Sequence, residues 1–329
     1  MAQDTLPSSR SASLDAAPSR LFGIQSNRAK FDEMLAKVLN PVPEWRIDLN
    51  DSGQYYLKFS VRDHTHSSEG MGEGLVSLLL IIDALYDSQP NDTIVIDEPE
   101  LSLHPALQRK LAALLREVSR DRQIICSTHS PYFVDIDAIA NGGVLARVFI
   151  DAGNGSKIVS LSDASRLALK TILKDIDHPH ALGLDAREVF FLHDKIVLVE
   201  GQEDVVIYPR IAKQVGISIN GEFFGWGVGG AGNMEMFARI LSDLKYEKVF
   251  GILDGNKRDR MQSLKTQFPD YKFDVINTDD VRCKRARPPR EAVQGLVDTA
   301  GQLIPGNEQE ARRILTAVNH YLDASREEQ

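Results

Sequence analysis

The sequence predicts an α/β protein of two domains, and three stretches carry that reading. TIVIDE at 93–98, KIVLVEG at 195–201 and KVFGILDG at 248–255 are apolar runs that end abruptly in acids. Unbroken runs of this kind belong to parallel strands buried on both faces, and open α/β sheets place their ligands at the carboxyl ends of such strands. Segments with helical spacing of apolar residues follow the runs, as strand–helix alternation requires.

A length of 329 residues suits two ordinary domains better than one. With 43% hydrophobic and 26% charged residues the chain has a soluble globular composition, which indicates neither the disordered nor the membrane class. The longest apolar stretch, Leu75 to Leu85, contains Ser77 and Asp83 and is too short to span a bilayer. The N-terminus lacks the basic flank and apolar core of a secretory signal, and Cys126 and Cys283 make no disulfide framework. A cytoplasmic protein without a membrane partner is expected.

Taken in order, residues 1–19 are rich in Ser, Ala, Pro and Asp without apolar periodicity, and are expected to be disordered. Phe31, Leu35, Val38 and Leu39 have helical spacing, and residues 45–49 and 55–61 alternate as strands about a DSG turn. Next, HSSEGMGEGLVSLLLIIDAL at 66–85 opens an apolar helix with glycines and small residues. Helix N-termini can hold phosphate, although such a start by itself is more often a plain cap.

The run at 93–97 is followed by PELSLHP and ends in Asp97 and Glu98. Adjacent acids after a buried strand can divide the labour of phosphate hydrolysis: Asp97 holds the Mg²⁺ shell and Glu98 orients the attacking water. Residues 122–127 form another expected buried strand, ending in Ser127, Thr128 and His129. A histidine there can reach a γ-phosphate, though a lone histidine is more often a cap or core residue. No GxxxxGK followed by Ser or Thr occurs, and GNGSK at 153–157 lacks the spacing, so the sequence has no cradle for β and γ phosphates.

Residues 143–161 read as two strands around DAGNGS and 163–176 as a helix; HPHALGLD at 178–185 reads as the linker between domains at 20–182 and 183–329. His178, His180 and His193 have no Cys or carboxylate frame and read as loop histidines. In the second domain Glu200 tips one strand, with Glu203 and Asp204 in the following turn, and Asp254 tips another, followed by Asn256. Two acid-tipped strand ends suggest one site for a hard cation, Mg²⁺ or Mn²⁺, against the plainer reading of solvated strand ends.

The net charge of −9 argues against nonspecific coating of nucleic acid. Local clusters differ: Lys257, Arg258 and Arg260 follow the Asp254 turn, and Arg282, Lys284, Arg285, Arg287 and Arg290 lie downstream, flanking the acids with groups suited to phosphate. GWGVGGAG at 225–232 lacks the order of a dinucleotide-binding unit and reads as a turn near the acids. Residues 290–324 read as mostly helical.

The ordered series SSEGMGEG, IVIDEPELSLHP and STHS over 66–135 resembles the second half of an ABC-type ATPase head. The resemblance makes Ser68 to Gly72, with Ser68 and Gly70, the signature motif. It makes Asp97 and Glu98 Walker B, Leu103 to Pro105 the D-loop, and His129 the switch histidine. LVEG and ILDGN resemble the acidic motifs of Toprim domains, with Asn256 where many members carry a second Asp. Together, over residues 20–290, the chain resembles the OLD (overcoming lysogenization defect) family.

That resemblance implies a partial ABC-type ATPase head without its P-loop segment, followed by a Toprim domain of Rossmann-like type with C-terminal helices. It implies an endonuclease coupled to an ATPase, with Glu200, Asp204, Asp254 and Asn256 as metal ligands and Glu200, Asp254 and Lys284 as catalytic residues. Lys257, Arg258, Arg285 and Arg287 would contact DNA. ATP would bind only at a composite site with a P-loop supplied elsewhere, by a missing N-terminal part or a partner chain, and a homodimer is a further expectation. Phage defence is implied by the resemblance alone. Two rivals are a non-catalytic dimerisation or regulatory protein working with a P-loop-bearing partner, and a primase-type Toprim enzyme, for which no polymerase or zinc module is visible.

Overall fold

Apolar periodicity and strand runs translate into two compact units in the computed structural model of the protein, Met1–Phe133 and Val134–Gln329. The structure describes residues 24, 28–49, 51, 53, 55–61, 64–67, 73–151, 153–173, 187, 195–286, 288–289 and 291–324. The expectations for residues 1–19, Ser68, Gly70, the linker at 178–185, the three loop histidines and Arg287 lie outside the described residues.

In the first unit the helix α1 (Arg28–Ala36) buries Phe31 and Leu35, the residues whose spacing predicts it. The strands β1 (Glu44–Leu49), β2 (Tyr55–Val61) and β3 (His64–Ser67) form an antiparallel sheet, with Trp45 opposite Phe59. Trp45 packs on Phe31 with ring centroids 5.3 Å apart, and its indole nitrogen donates to Asp32 at 2.7 Å, so the one polar atom of a buried side chain is satisfied.

The helix α2 (Glu73–Asp87) is apolar on most of its circumference and buries Leu78, Leu79, Ile82 and Leu85. Beside it, β4 (Thr93–Asp97) pairs in parallel with β5 (Gln123–Ser127), and α3 (Pro105–Val118) connects the two. These two strands depart from the expectation of full burial. Ile94, Ile96, Ile124 and Cys126 join the core, whereas Val95 is 70% and Ile125 46% exposed. Successive strand residues face opposite sides, and only one side of this pair is covered within the unit.

The second unit opens with α4 (Ile136–Ala140), the antiparallel hairpin β6 (Ala146–Asp151) and β7 (Gly155–Ser160), and α5 (Asp163–Leu173). Ile136, Leu161 and Leu169 share a core with Leu198 and Phe237, so these elements pack within this unit.

Its centre is a parallel sheet of β8 (Lys195–Leu198), β9 (Glu222–Phe223), β10 (Lys248–Leu253) and β11 (Lys272–Val275), in the spatial order β11-β10-β8-β9. The connecting helices are α6 (Gln202–Val215), α7 (Ala231–Asp243) and α8 (Arg258–Gln267). Alternate strand residues feed opposite cores. Ile196, Leu198 and Val249 pack with Met234 and Phe237 of α7 and Leu264 of α8. Val197, Val199, Phe250 and Ile252 pack with Ile207 and Ile211 of α6 and with Ile314, Val318 and Leu322 of α9 (Glu308–Asp323).

Burial on both faces explains why these strands read as unbroken apolar runs. The chain leaves β8 toward β9 on one side and returns to β10 on the other, so the carboxyl ends of β8 and β10 meet at a topological switch point, where such sheets hold ligands. The 290–324 segment is less helical than its pattern suggests. Gly295–Val297 is a buried three-residue strand paired in parallel with Asp280–Arg282, and too short to show a period.

Candidate functional site

Glu200 and Gly201 bridge the end of β8 and the start of α6. Gly201 caps the helix, and its N–H donates to the Asp204 carboxylate at 2.8 Å, which fixes Asp204 one turn into the helix. The Glu200 carboxylate accepts the Asp254 N–H at 2.9 Å, so the tip of β8 is tied to the tip of β10. Gly255, directly after Asp254, packs against the chain at Thr278, where a Cβ would lie 2.4 Å from the carbonyl oxygen. That close approach brings the 278–284 segment, and with it Asp280, alongside the strand ends.

Asp280 opens its short strand at 9% exposure and pairs with Lys284. Sequence reasoning missed it, because Asp280 begins a strand instead of ending one and follows the polar stretch Asn277 to Asp279. The signals present are the acid pair 279–280 and a lysine four residues later. Lys284 is bonded to Asp280. Glu203 turns aside from the other acids: the Arg282 guanidinium donates to it through two nitrogens, Nε at 3.1 Å. Asn256 is exposed and donates to the Asp279 carbonyl at 3.1 Å. Arg258 and Arg285 are exposed, and Lys257 lies near enough to Glu200 to favour its charge.

The electrostatics follow from packing four carboxylates at one sheet edge. Burial pushes the Asp254 carboxyl up to about 8, with the charges of Glu200, Asp280 and Asp204 adding to it. Burial likewise pushes Asp204 up to about 7, reinforced by Asp280 and Glu200 and opposed by the Gly201 N–H. Glu200 is raised too, chiefly by burial. Lys284 is itself partly buried, which works against its charge, yet the Asp280 carboxylate holds it protonated above its ordinary range.

Among the described residues no three Asp, Glu, His or Cys side chains are gathered into a ready metal cage. Glu200 and Asp204 are each bonded to backbone N–H groups, and Asp280 is bonded to Lys284. The donor set still fits a hard divalent cation. All its members are oxygens, their negative charge exceeds that of the nearby lysines, and Mg²⁺ keeps several waters while taking only one or two carboxylates.

The glycine loop before α7 buttresses this edge. Gly227 has φ of 78°, and a Cβ there would come within 2.6 Å of the Gly201 carbonyl carbon. Gly227→Ala should therefore cost about 1–3 kcal/mol or more in strain alone. Unchanged denaturant unfolding of the variant would contradict this packing.

In the first unit Asp97 and Glu98 stand exposed at the end of β4, with Glu98 at φ of 46°. The His129 Nε2 lies 3.9 Å from the Glu98 carboxylate, so two of the expected ATPase residues adjoin. The residue organising them is Glu100, also missed from sequence. Its carboxylate accepts the Thr128 hydroxyl at 2.7 Å and the His129 N–H at 2.6 Å. Glu100→Ala should speed amide exchange over residues 128–130 by about 10- to 100-fold, the loss of one to two charge-assisted bonds; an unchanged rate would deny it that role. Leu103 to Pro105 lead into α3, capped by His104, whose Nδ1 accepts the Ala106 N–H at 3.2 Å. No helix among the described residues is long and apolar enough to cross a membrane.

Comparison with known proteins adds to this geometry. Residues 10–135 match a family model described as an AAA domain and associated there with the AbiEii toxin of type IV TA systems. Residues 191–255 match the Toprim domain of overcoming lysogenization defect protein-like proteins. A protein of Thermus scotoductus named OLD nuclease is 27% identical over 173 residues, which cover 50% of this chain and 32% of that protein. Slight likenesses extend to two archaeal Smc head domains. That of Pyrococcus furiosus, bound to the C-terminal domain of ScpA, has a TM-score of 0.35 at 20% identity, covering 47% of this chain and 40% of that one. That of Pyrococcus yayanosii has a TM-score of 0.33 at 22% identity, covering 46% and 30%. Residues 10–135 are thus similar to an AAA domain and residues 191–255 to a Toprim domain of OLD-like type, and the chain spans about a third of the length of the curated relative it matches.

Proposed function

We propose that the chain is a metal-dependent DNA endonuclease whose phosphodiester-cleaving site is the acidic edge formed by β8 and β10. The observation that supports this most is the meeting of Glu200, Asp204, Asp254 and Asp280 at the switch point of a parallel sheet, with the Asp254 carboxyl held up at about 8 by burial and by its neighbours' charges. A site that strains against its own negative charge is suited to a cation, and the OLD nuclease relative points to the same chemistry.

Glu200, Asp204 and Asp254 would hold Mg²⁺ or Mn²⁺, with Asn256 as a neutral ligand. When bound, the ion supplies an activated water and charge stabilisation for the leaving oxygen. The chain's own residues do the rest. Glu200 fixes the Asp254 backbone through their hydrogen bond. Lys284, kept charged by Asp280, faces the negative charge that grows on the phosphate. Lys257, Arg258, Arg285 and Arg287 orient the DNA backbone without reading sequence.

The first unit would act as an ATP-linked regulator. Asp97, Glu98 and His129 would contribute to a composite site, joined by Ser68 and Gly70 and completed by a P-loop from another chain or segment, in a homodimer or with a partner. The test is nicking of supercoiled plasmid by the purified chain with Mg²⁺, Mn²⁺ or EDTA, with and without ATP. Metal-dependent nicking that ATP leaves unchanged is expected. Absence of nicking with either metal would reject the nuclease reading in favour of a non-catalytic regulatory protein.

A further inference from the structure

Beside the acidic edge lies a pocket of about 290 Å³. Val206 and Ile207 of α6 and Ala300 line its walls, and Trp226, Arg210 and Arg282 stand around it. The chain has two tryptophans, and they differ in kind: Trp45 is 1% exposed in the core of the first unit, whereas Trp226 is 41% exposed. Exposing an indole forgoes its large apolar burial, and at functional sites such a ring serves as a contact surface.

The backbone holds Trp226 in place. It sits between Gly225 and Gly227, both at positive φ and bridged to each other. Gly227 in turn rests on the backbone of Gly201, the neighbour of Glu200. The indole is therefore anchored next to the acidic edge and not carried on a loose loop. Arg282 is engaged by Glu203, while Arg210, exposed on α6, makes no ion pair among the described residues.

We infer that this pocket takes one unpaired nucleobase of the strand being cleaved, stacked on Trp226, with Arg210 against the adjoining phosphate. The inference rests on the nuclease reading of the neighbouring carboxylates. Base stacking on an aromatic ring is tolerant of sequence because every base has a π-face, and an arginine beside it follows the backbone. A base paired within a duplex cannot enter such a pocket, so the site favours single-stranded or locally opened DNA.

The exposed indole is its own probe. In EDTA, where no cleavage occurs, a short oligothymidylate should quench Trp226 emission, with buried Trp45 as a constant background. An abasic strand of the same length, which keeps the phosphates, and free AMP should leave the emission unchanged. Fluorescence anisotropy with a labelled oligothymidylate should show about tenfold weaker binding for Trp226→Ala and near-native binding for Trp226→Phe, whose ring still stacks.

Equal quenching by the abasic strand would overturn the base pocket, and quenching by AMP as strong as by the strand would assign the pocket to a free nucleotide instead. Strand binding without quenching would sink this inference and leave the nuclease reading standing. Failure to bind any strand, together with absence of plasmid nicking, would remove both.

Discussion

Glu200→Gln should lower metal-dependent nicking by at least about 100-fold while leaving the fold intact or slightly more stable. The substitution preserves shape, and the amide oxygen can still accept the Asp254 N–H that joins the two strand tips. What it removes is one negative charge from the cluster. A cation that contributes several kcal/mol of charge stabilisation to the transition state loses a principal ligand, which at about 1.4 kcal/mol per tenfold gives a loss of that size. Removing the charge also relieves Asp254, whose carboxyl is held up partly by Glu200, so melting in the absence of metal should stay level or rise. A variant that still nicks at the native rate would remove Glu200 from the site, and one that melts far below the native chain would make it a structural residue.

The second large effect is a coupling of pH, metal and stability. Asp204 and Asp254 have an ordinary value of 3.8, raised in the folded chain to about 7 and about 8. The folded state then binds more protons than the unfolded state between these limits, so in EDTA stability falls as pH rises from about 4 to about 8 and levels off beyond. A divalent cation reverses the loss by compensating the ionised carboxylates. The rise in melting temperature on adding Mg²⁺ or Mn²⁺ should therefore be small at pH 6 and largest above pH 8. Asp254→Asn should be more stable than the native chain at pH 8.5 in EDTA and should gain little from metal. A metal-induced shift of equal size at pH 6 and pH 8.5 would mean that the cation binds elsewhere.

The readable parts of this protein are those where burial is two-sided. Ile196 to Val199 and Val249 to Leu253 are core residues on both faces of one sheet, so their strands, and the acids at their tips, stand out in the sequence. The helices are legible for a similar reason: Phe31 and Leu35 repeat at the spacing of a buried face.

Tertiary contacts hide the rest. β9 has two residues and Asp280–Arg282 has three, too few to display a period, yet the second of these brings Asp280 to the site. Glu100 occupies a polar turn whose meaning appears only when Thr128 and His129 fold against it. Glu203 was visible as a charge, but its partner Arg282 is set by the packing of a segment 79 residues further along the chain against the first turn of α6, whereas Lys284 pairs locally with Asp280, and only the folding of that segment brings the pair to the strand ends. The exposure of Val95 and Ile125 was likewise illegible, because an apolar run does not say whether both of its faces are covered within the same unit.

The most direct measurement is calorimetric titration of Mn²⁺ into the native chain and into Asp254→Asn at pH 8, without DNA or ATP. The native chain should bind the ion saturably, and the variant, which lacks one charged ligand, should bind it at least about tenfold more weakly. Binding of equal strength by both, or none by the native chain, would contradict a cation site at the tips of β8 and β10.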